Sequence, residues 1–363
     1  SGALECCRTR LSVALCAGML TAQRFGTRIV AHPSLASFSV ESIVGPLRAR
    51  GGQVAGRAHA SDAEPTLPIA VAPLVEGESL QALECELPKP DACAKAAVLT
   101  SALFASGVTA ISEPLVSADH YERFFVGIGL PMRRVGSVVV FDPADWNRRI
   151  PAMRALSLPG SQTITAAILS VALLMPTSLA TLTHVGINPS RSGFLDALRL
   201  WGANVNVVPR DDTALREPTA DVTVQPRGLR GGVLGGELLA RADAEASLLV
   251  ALGAFGKRGI ELYDLDVLSQ ESRRALDAMP ALLARFGVAC ERSSSVIRAR
   301  AEKPLTGAHV DAKSDPLVAL AALVLGLLAP GETVIEEGAE ALSLTYPGLL
   351  EALTALGASV EIT

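Results

Sequence analysis

The chain has 363 residues, 49% of them hydrophobic and only 4% aromatic, with a formal net charge of −5. That length carries two domains with a sizeable core built from Ala, Leu and Val, which excludes a disordered chain. The acidic balance, with no basic stripe carrying interleaved aromatics, excludes nucleic acid as a partner.

In chain order, Leu11 to Val30 reads as an apolar helix running into a strand, followed by the amphipathic VESIVGPLRARGG. Residues 58–88 are rich in Pro and Glu, with short strands in LPIAVAPL and LQALECEL. A second apolar helix and Thr-rich strand, Ala96 to Ile111, precedes HYERFFVGIG. The Pro- and Arg-rich segment from Val135 to Leu156 is the expected crossover between domains, placed at residues 1–157 and 158–363. Beyond it, Ala166 to Met175 reads as a helix apolar almost all round and Leu179 to Val185 as a strand. Ser192 to Leu200 reads as an amphipathic helix closed by Gly202, and Asn204 to Val208 as a strand.

The same pattern returns at Ala246 to Leu265 and Pro316 to Gly338, each with a second helix ending near Gly. Five copies recur at intervals of roughly 70–85 residues. A helix apolar on every side must be buried, whereas an amphipathic one covers a sheet from outside. The fold class is therefore α/β (α+β): inner helices enclosed by outward-facing sheets, with two copies in the first domain and three in the second.

The longest uncharged apolar run, Pro316 to Pro330, is shorter than the ~20 residues a membrane helix needs. The N-terminus lacks a signal-peptide layout, so a cytoplasmic protein without membrane partners is expected. Six cysteines without CxxC spacing and five scattered histidines support neither a disulfide framework nor a metal site. No GxGxxG after a strand, no P-loop and no GxSxG occurs, so no cofactor is expected.

VGINPSRSGFLDALRLWGA and its preceding LPG segment resemble the bacterial enolpyruvylshikimate-phosphate (EPSP) synthase family. So do ISEPLVSADHYERFF, LLARADAEASLLVALGAF, LSQESRR and LTYPGLLEALTALGA, in order along the whole chain. The resemblance implies two inside-out α/β domains of βαβαββ units with the active site between them. It also implies a reaction that joins phosphoenolpyruvate to the 5-hydroxyl of shikimate 3-phosphate and releases phosphate.

Two anionic substrates demand cationic donors. Carried over by resemblance, Asp243 matches the family's acid/base carboxylate. Gln270-Glu271-Ser272-Arg273-Arg274 stands for its Lys-Glu-Ser-Asp-Arg signature. Asp315-Pro316-Leu317 stands for Asp-His-Arg, and Asp91-Ala92-Cys93 for the phosphate-binding Ser-Ala-Gln. Lys95 and Arg8 are kept, and Leu344 replaces a late Lys. The expected catalytic pair is Asp243 and Glu271, as general base and acid. The expected contacts to a small shikimate-type acid are Arg8, Asp91, Lys95, His120, Arg274 and Asp315.

The structural alternatives are plain: Asp243 and Glu271 sit where helix-favouring acids are common, and Arg191 after Asn188-Pro189 reads as a turn residue. With so many cations lost, elimination of water or phosphate from the ring is the expected reaction. Carboxyvinyl transfer and a non-catalytic binding role are the alternatives. Oligomeric state is left open.

Overall fold

The computed structural model describes residues 2–6, 9–58, 64–150, 152, 156–176, 179–211 and 214–362. The chain divides into two compact units, Ser1–Leu156 and Ser157–Thr363.

Unit 1 holds two copies of one motif. The first is β1 (Ala3–Glu5), α1 (Arg10–Leu20), β2 (Thr27–Val30), α2 (Glu41–Ala49), β3 (Val54–Arg57) and β4 (Thr66–Val71). The second is β5 (Leu83–Glu86), α3 (Ala92–Ala102), β6 (Thr109–Ser112), α4 (His120–Gly127), β7 (Met132–Val135) and β8 (Val138–Phe141). Their sheets have the same order, β1-β2-β4-β3 and β5-β6-β8-β7. In each, the first two strands are parallel and the last two antiparallel.

The expected crossover therefore begins later than Val135. Val139 and Phe141 alternate inward, so Val138–Phe141 is half-buried strand belonging to unit 1. The inner helices meet face to face at Gly18, where an added Cβ would lie 2.4 Å from the Ala97 carbonyl oxygen. Only a missing side chain permits that approach.

Arg50, which ends α2, is completely buried and joins the two copies. Its Nη1 donates to the Val98 carbonyl (3.1 Å) and Ser101 Oγ (2.6 Å), and its Nη2 to Thr109 Oγ1 (2.7 Å) and the Gln81 carbonyl (3.2 Å). Burial lowers its pKa to about 10.

Unit 2 repeats the motif. Its elements are α5 (Gln162–Leu174), β9 (Ala180–Gly186), α6 (Gly193–Leu200), β10 (Asn204–Pro209) and β11 (Thr219–Gln225), then β12 (Gly232–Leu234), α7 (Gly236–Ala240), α8 (Ala246–Leu252) and β13 (Ile260–Tyr263). There follow α9 (Gln270–Arg285), β14 (Ala289–Arg292), β15 (Val296–Arg300), β16 (His309–Asp311), α10 (Pro316–Leu328), β17 (Val334–Glu336), α11 (Ala339–Thr345) and α12 (Leu349–Ala355).

Sheets β10-β11-β9 and β12-β13-β15-β14 keep the unit 1 order, and β16 pairs with β17 in parallel. All of α8 is buried, as is most of α5 and α10. These three helices share one core with Leu276, Met279 and Phe286. The inside-out arrangement is thus present: apolar helices within, sheets without.

Helix α5 starts four residues earlier than the apolar run suggests, because Ser161 caps it and Thr163 and Thr165 are buried. Gly202 does end α6, with φ of +89°. No described helix is long and apolar enough to cross a membrane.

Candidate active site

In unit 2 the starts of four helical elements meet. Ser161, Ser269 and Asp315 cap α5, α9 and α10, and a short 3-10 turn, Asp243–Glu245, leads into α8. Helix starts gather unpaired N–H groups and positive dipole ends, so this face attracts carboxylates. Those carboxylates come from the chain itself.

Asp243 Oδ1 accepts from the backbone N–H of Ser269 at 2.8 Å. It therefore does not cap the helix it precedes: α8 takes Glu245 at its N-cap, with no side-chain bond, while Asp243 reaches across to α9. Glu271 lies half-buried in the first turn of α9, two residues beyond that bond. Asp315 Oδ1 accepts from the N–H groups of Leu317 (2.9 Å) and Val318 (3.4 Å), and its Oδ2 binds Arg274 Nη2 at 2.9 Å.

Sequence reasoning passed over the centre of this cluster. Glu245 is 0% exposed, and its Oε1 accepts from Thr163 Oγ1 (2.5 Å) and Arg191 Nη2 (2.9 Å). Burial alone would lower the Arg191 guanidinium, but the charges of Glu245 and Asp243 raise it instead. Tyr346 is raised by burial first and then by Glu245 and Asp315, so it stays a neutral phenol. The available signal was Glu245 itself: a charge inside an apolar helix start must find a partner. A small hollow runs beside Arg191, lined also by Gln162, Thr165, Gly186 and Phe194.

Unit 1 carries a second cluster, around the starts of α3 and α4. Asp91 Oδ1 accepts from the N–H groups of Cys93 (3.0 Å) and Ala94 (2.9 Å), so the end of α3 that suits an anion is filled by its own cap. Lys95, one turn on, is 0% exposed. Its ammonium binds Glu113 Oε1 at 2.7 Å, Glu122 Oε1 at 2.9 Å and the Ser117 carbonyl at 3.1 Å. Three donors meet three acceptors, which leaves none for a ligand in this state.

Arg134 also binds Glu122, at 3.1 Å. Burial pushes the Glu122 carboxyl above the usual range even though Lys95 pulls it down. His120 is exposed at the start of α4. Arg8 lies outside the described residues. Among the described residues no His/Cys/Asp/Glu group is arranged to hold a metal, and the five cysteines that fall among them are free thiols.

Of the expected site residues, Asp243, Glu271, Arg274 and Asp315 thus lie in unit 2, and Asp91, Lys95 and His120 in unit 1. Chemically, unit 2 offers carboxylates for proton transfer, two arginines and one phenol donor.

The family model described as EPSP synthase (3-phosphoshikimate 1-carboxyvinyltransferase) matches residues 12–353. The chain belongs to the EPSP synthase family. Curated relatives of that family named 3-phosphoshikimate 1-carboxyvinyltransferase include one from Desulforudis audaxviator (strain MP104C). It is 32% identical over 342 residues, spanning 93% of this chain and 76% of that protein. Another, from Brevibacillus brevis, is 28% identical over 94% of this chain and 77% of that protein. The chain therefore spans about three quarters of the length of these relatives.

Among solved structures, an EPSP synthase from Acinetobacter baumannii superposes with a TM-score of 0.78 at 24% identity, over 100% of this chain and 80% of that one. The enolpyruvyl transferase NikO from Streptomyces tendae gives 0.62 at 16%, over 100% and 96%. These structural likenesses establish the two-domain inside-out fold of the EPSP synthase family for this chain.

Proposed function

We propose that the chain is a 3-phosphoshikimate 1-carboxyvinyltransferase: it transfers the carboxyvinyl group of phosphoenolpyruvate to a shikimate-type ring acid, with Asp243 as the proton-transfer group. The observation that carries this reading is the Asp243 carboxylate. It is fixed by the Ser269 N–H at 2.8 Å beside Arg191, at the position matching the family's acid/base carboxylate. One oxygen held and the other left to exchange a proton is the geometry general acid–base catalysis needs. Glu271, at the start of the same helix α9, serves as the second proton-transfer group. The division into substrate-binding domains near residue 157 belongs to the same proposal.

A second reading, ring elimination without phosphoenolpyruvate, is favoured by one specific observation. The cations that would grip two anions are spent internally, Lys95 on Glu113 and Glu122 and Arg274 on Asp315.

One experiment separates them. Purified protein is given shikimate 3-phosphate with and without phosphoenolpyruvate, and phosphorus NMR follows every phosphate. Carboxyvinyl product formed only with phosphoenolpyruvate, and cut about 100-fold or more by Asp243→Asn, is the expected result. Consumption of the ring acid alone transfers the assignment to elimination. No turnover under either condition overturns both readings and leaves a binding homologue.

A further inference from the structure

The loop before α6, with the first turn of that helix, and the segment that bears Asp243 grip each other at five points. Arg191 Nη2 binds Glu245 Oε1 at 2.9 Å, and Arg191 Nη1 donates a long 3.5 Å bond to the Arg241 carbonyl. Gly193 N–H donates to that same carbonyl at 3.3 Å. In return, Arg241 Nη1 donates to the Pro189 carbonyl at 3.2 Å, and its Nη2 binds Asp196 Oδ2 at 2.6 Å.

The contact is close. A Cβ at Gly193 would lie 2.5 Å from the Leu238 carbonyl oxygen and 2.7 Å from the Ala242 nitrogen. The loop is stiff as well: buried Asn188 accepts from Ser190 N–H at 2.9 Å and donates to Glu217 at 3.2 Å.

We propose that Arg191 is the positioning residue of the acid/base turn. By clamping Glu245 from the rigid 188–193 loop, it fixes where Asp243 sits against Ser269. The inference rests on reading Asp243 as the proton-transfer group, but the clamp itself does not require turnover to be observed. A fully buried glutamate two residues from Asp243, on the same 3-10 turn, is costly to bury without partners, and Arg191 and Thr163 are the ones that hold it there. Arg191 does that work while touching Asp243 only through its field. Displacing a reacting group by ~1 Å costs about 100-fold in rate, so a clamp on its turn is worth that much.

The test compares Arg191→Met, Arg191→Lys and the double variant Arg191→Met/Glu245→Leu. The double variant removes both charges, so a folded protein is retained even where the single change strands a buried carboxylate. Two readouts are taken: kcat and KM with the ring acid and phosphoenolpyruvate, and the Ser269 amide resonance in 15N-serine-labelled protein, assigned through Ser269→Ala.

The expected result for the double variant is a kcat lowered about 100-fold with KM within about two-fold, together with an upfield move of the Ser269 amide proton. Arg191→Lys is expected to restore part of both. A double variant that keeps kcat and the Ser269 resonance overturns the proposal. Should the unaltered protein turn over no ring acid, the functional reading fails. The Ser269 resonance, recorded without substrate, then decides the clamp alone: a shift upholds it and an unmoved line overturns it.

Discussion

Replacing Lys95 by Met tests how unit 1 tolerates charge in its interior. The ammonium is 0% exposed and saturates its three donors on Glu113, Glu122 and the Ser117 carbonyl. Removing it leaves Glu113, 1% exposed at the side chain, without a counter-charge, while Glu122 keeps Arg134 at 3.1 Å. The loss is thus close to that of one stranded buried carboxylate, about 3–5 kcal/mol.

At urea slopes of about 1–3 kcal/mol/M this lowers the unfolding midpoint of unit 1 by roughly 1–5 M. The chain has two tryptophans, Trp146 in unit 1 and Trp201 in unit 2, so Trp146 fluorescence in a Trp201→Phe background isolates the transition. Replacing Lys95 and Glu113 together by Met and Leu is expected to recover much of the loss, because no unpaired charge then remains. A cost below about 1 kcal/mol for Lys95→Met refutes the reasoning, since a group so cheaply removed cannot be the neutralising partner of a buried acid.

Two further predictions follow from the same unit. Glu122 holds its proton more tightly folded than unfolded, so between its ordinary value of 4.5 and its raised folded value, stability falls as pH rises. Glu122→Gln should flatten that slope in urea midpoints taken across the interval; an unchanged slope contradicts the assignment. Asp91→Ala removes the acceptor of two N–H groups at the start of α3 and should cost about 1 kcal/mol, with Asp91→Asn costing distinctly less, read by the same fluorescence.

The repeats were legible because a helix apolar on every side leaves a mark that survives without neighbours: α3, α5, α8 and α10 all fall on such runs. Short strands were less legible. Val138–Phe141 stands beside Pro- and Arg-rich sequence, and only its pairing with β6 and β7 assigns it to unit 1.

The site was half legible. Asp243, Glu271, Arg274 and Asp315 were named as candidates and all four lie in unit 2, but the long-range partners of Asp243 and Arg191 were not legible. Asp243 looked like a cap for the helix behind it and instead bonds Ser269, 26 positions on. Arg191 looked like a turn residue because its partner Glu245 is 54 positions away. Pairings at that range are set by the packing of whole repeats, which periodicity cannot report. Asp91 was placed among the substrate contacts by its match to a phosphate-binding Ser, while its capping role rests on two bonds to the next turn.

Arg50 has a consequence for how unit 1 ages under mutation. Of its four acceptors, two are main-chain carbonyls, at Gln81 and Val98, and two are hydroxyls, at Ser101 and Thr109. Carbonyls belong to the backbone whatever side chain is drawn, and neither kind of group titrates. The join between the two copies thus hangs on one arginine whose acceptors are half main chain and half hydroxyl, so no carboxylate in it needs neutralising, unlike the Lys95 cluster.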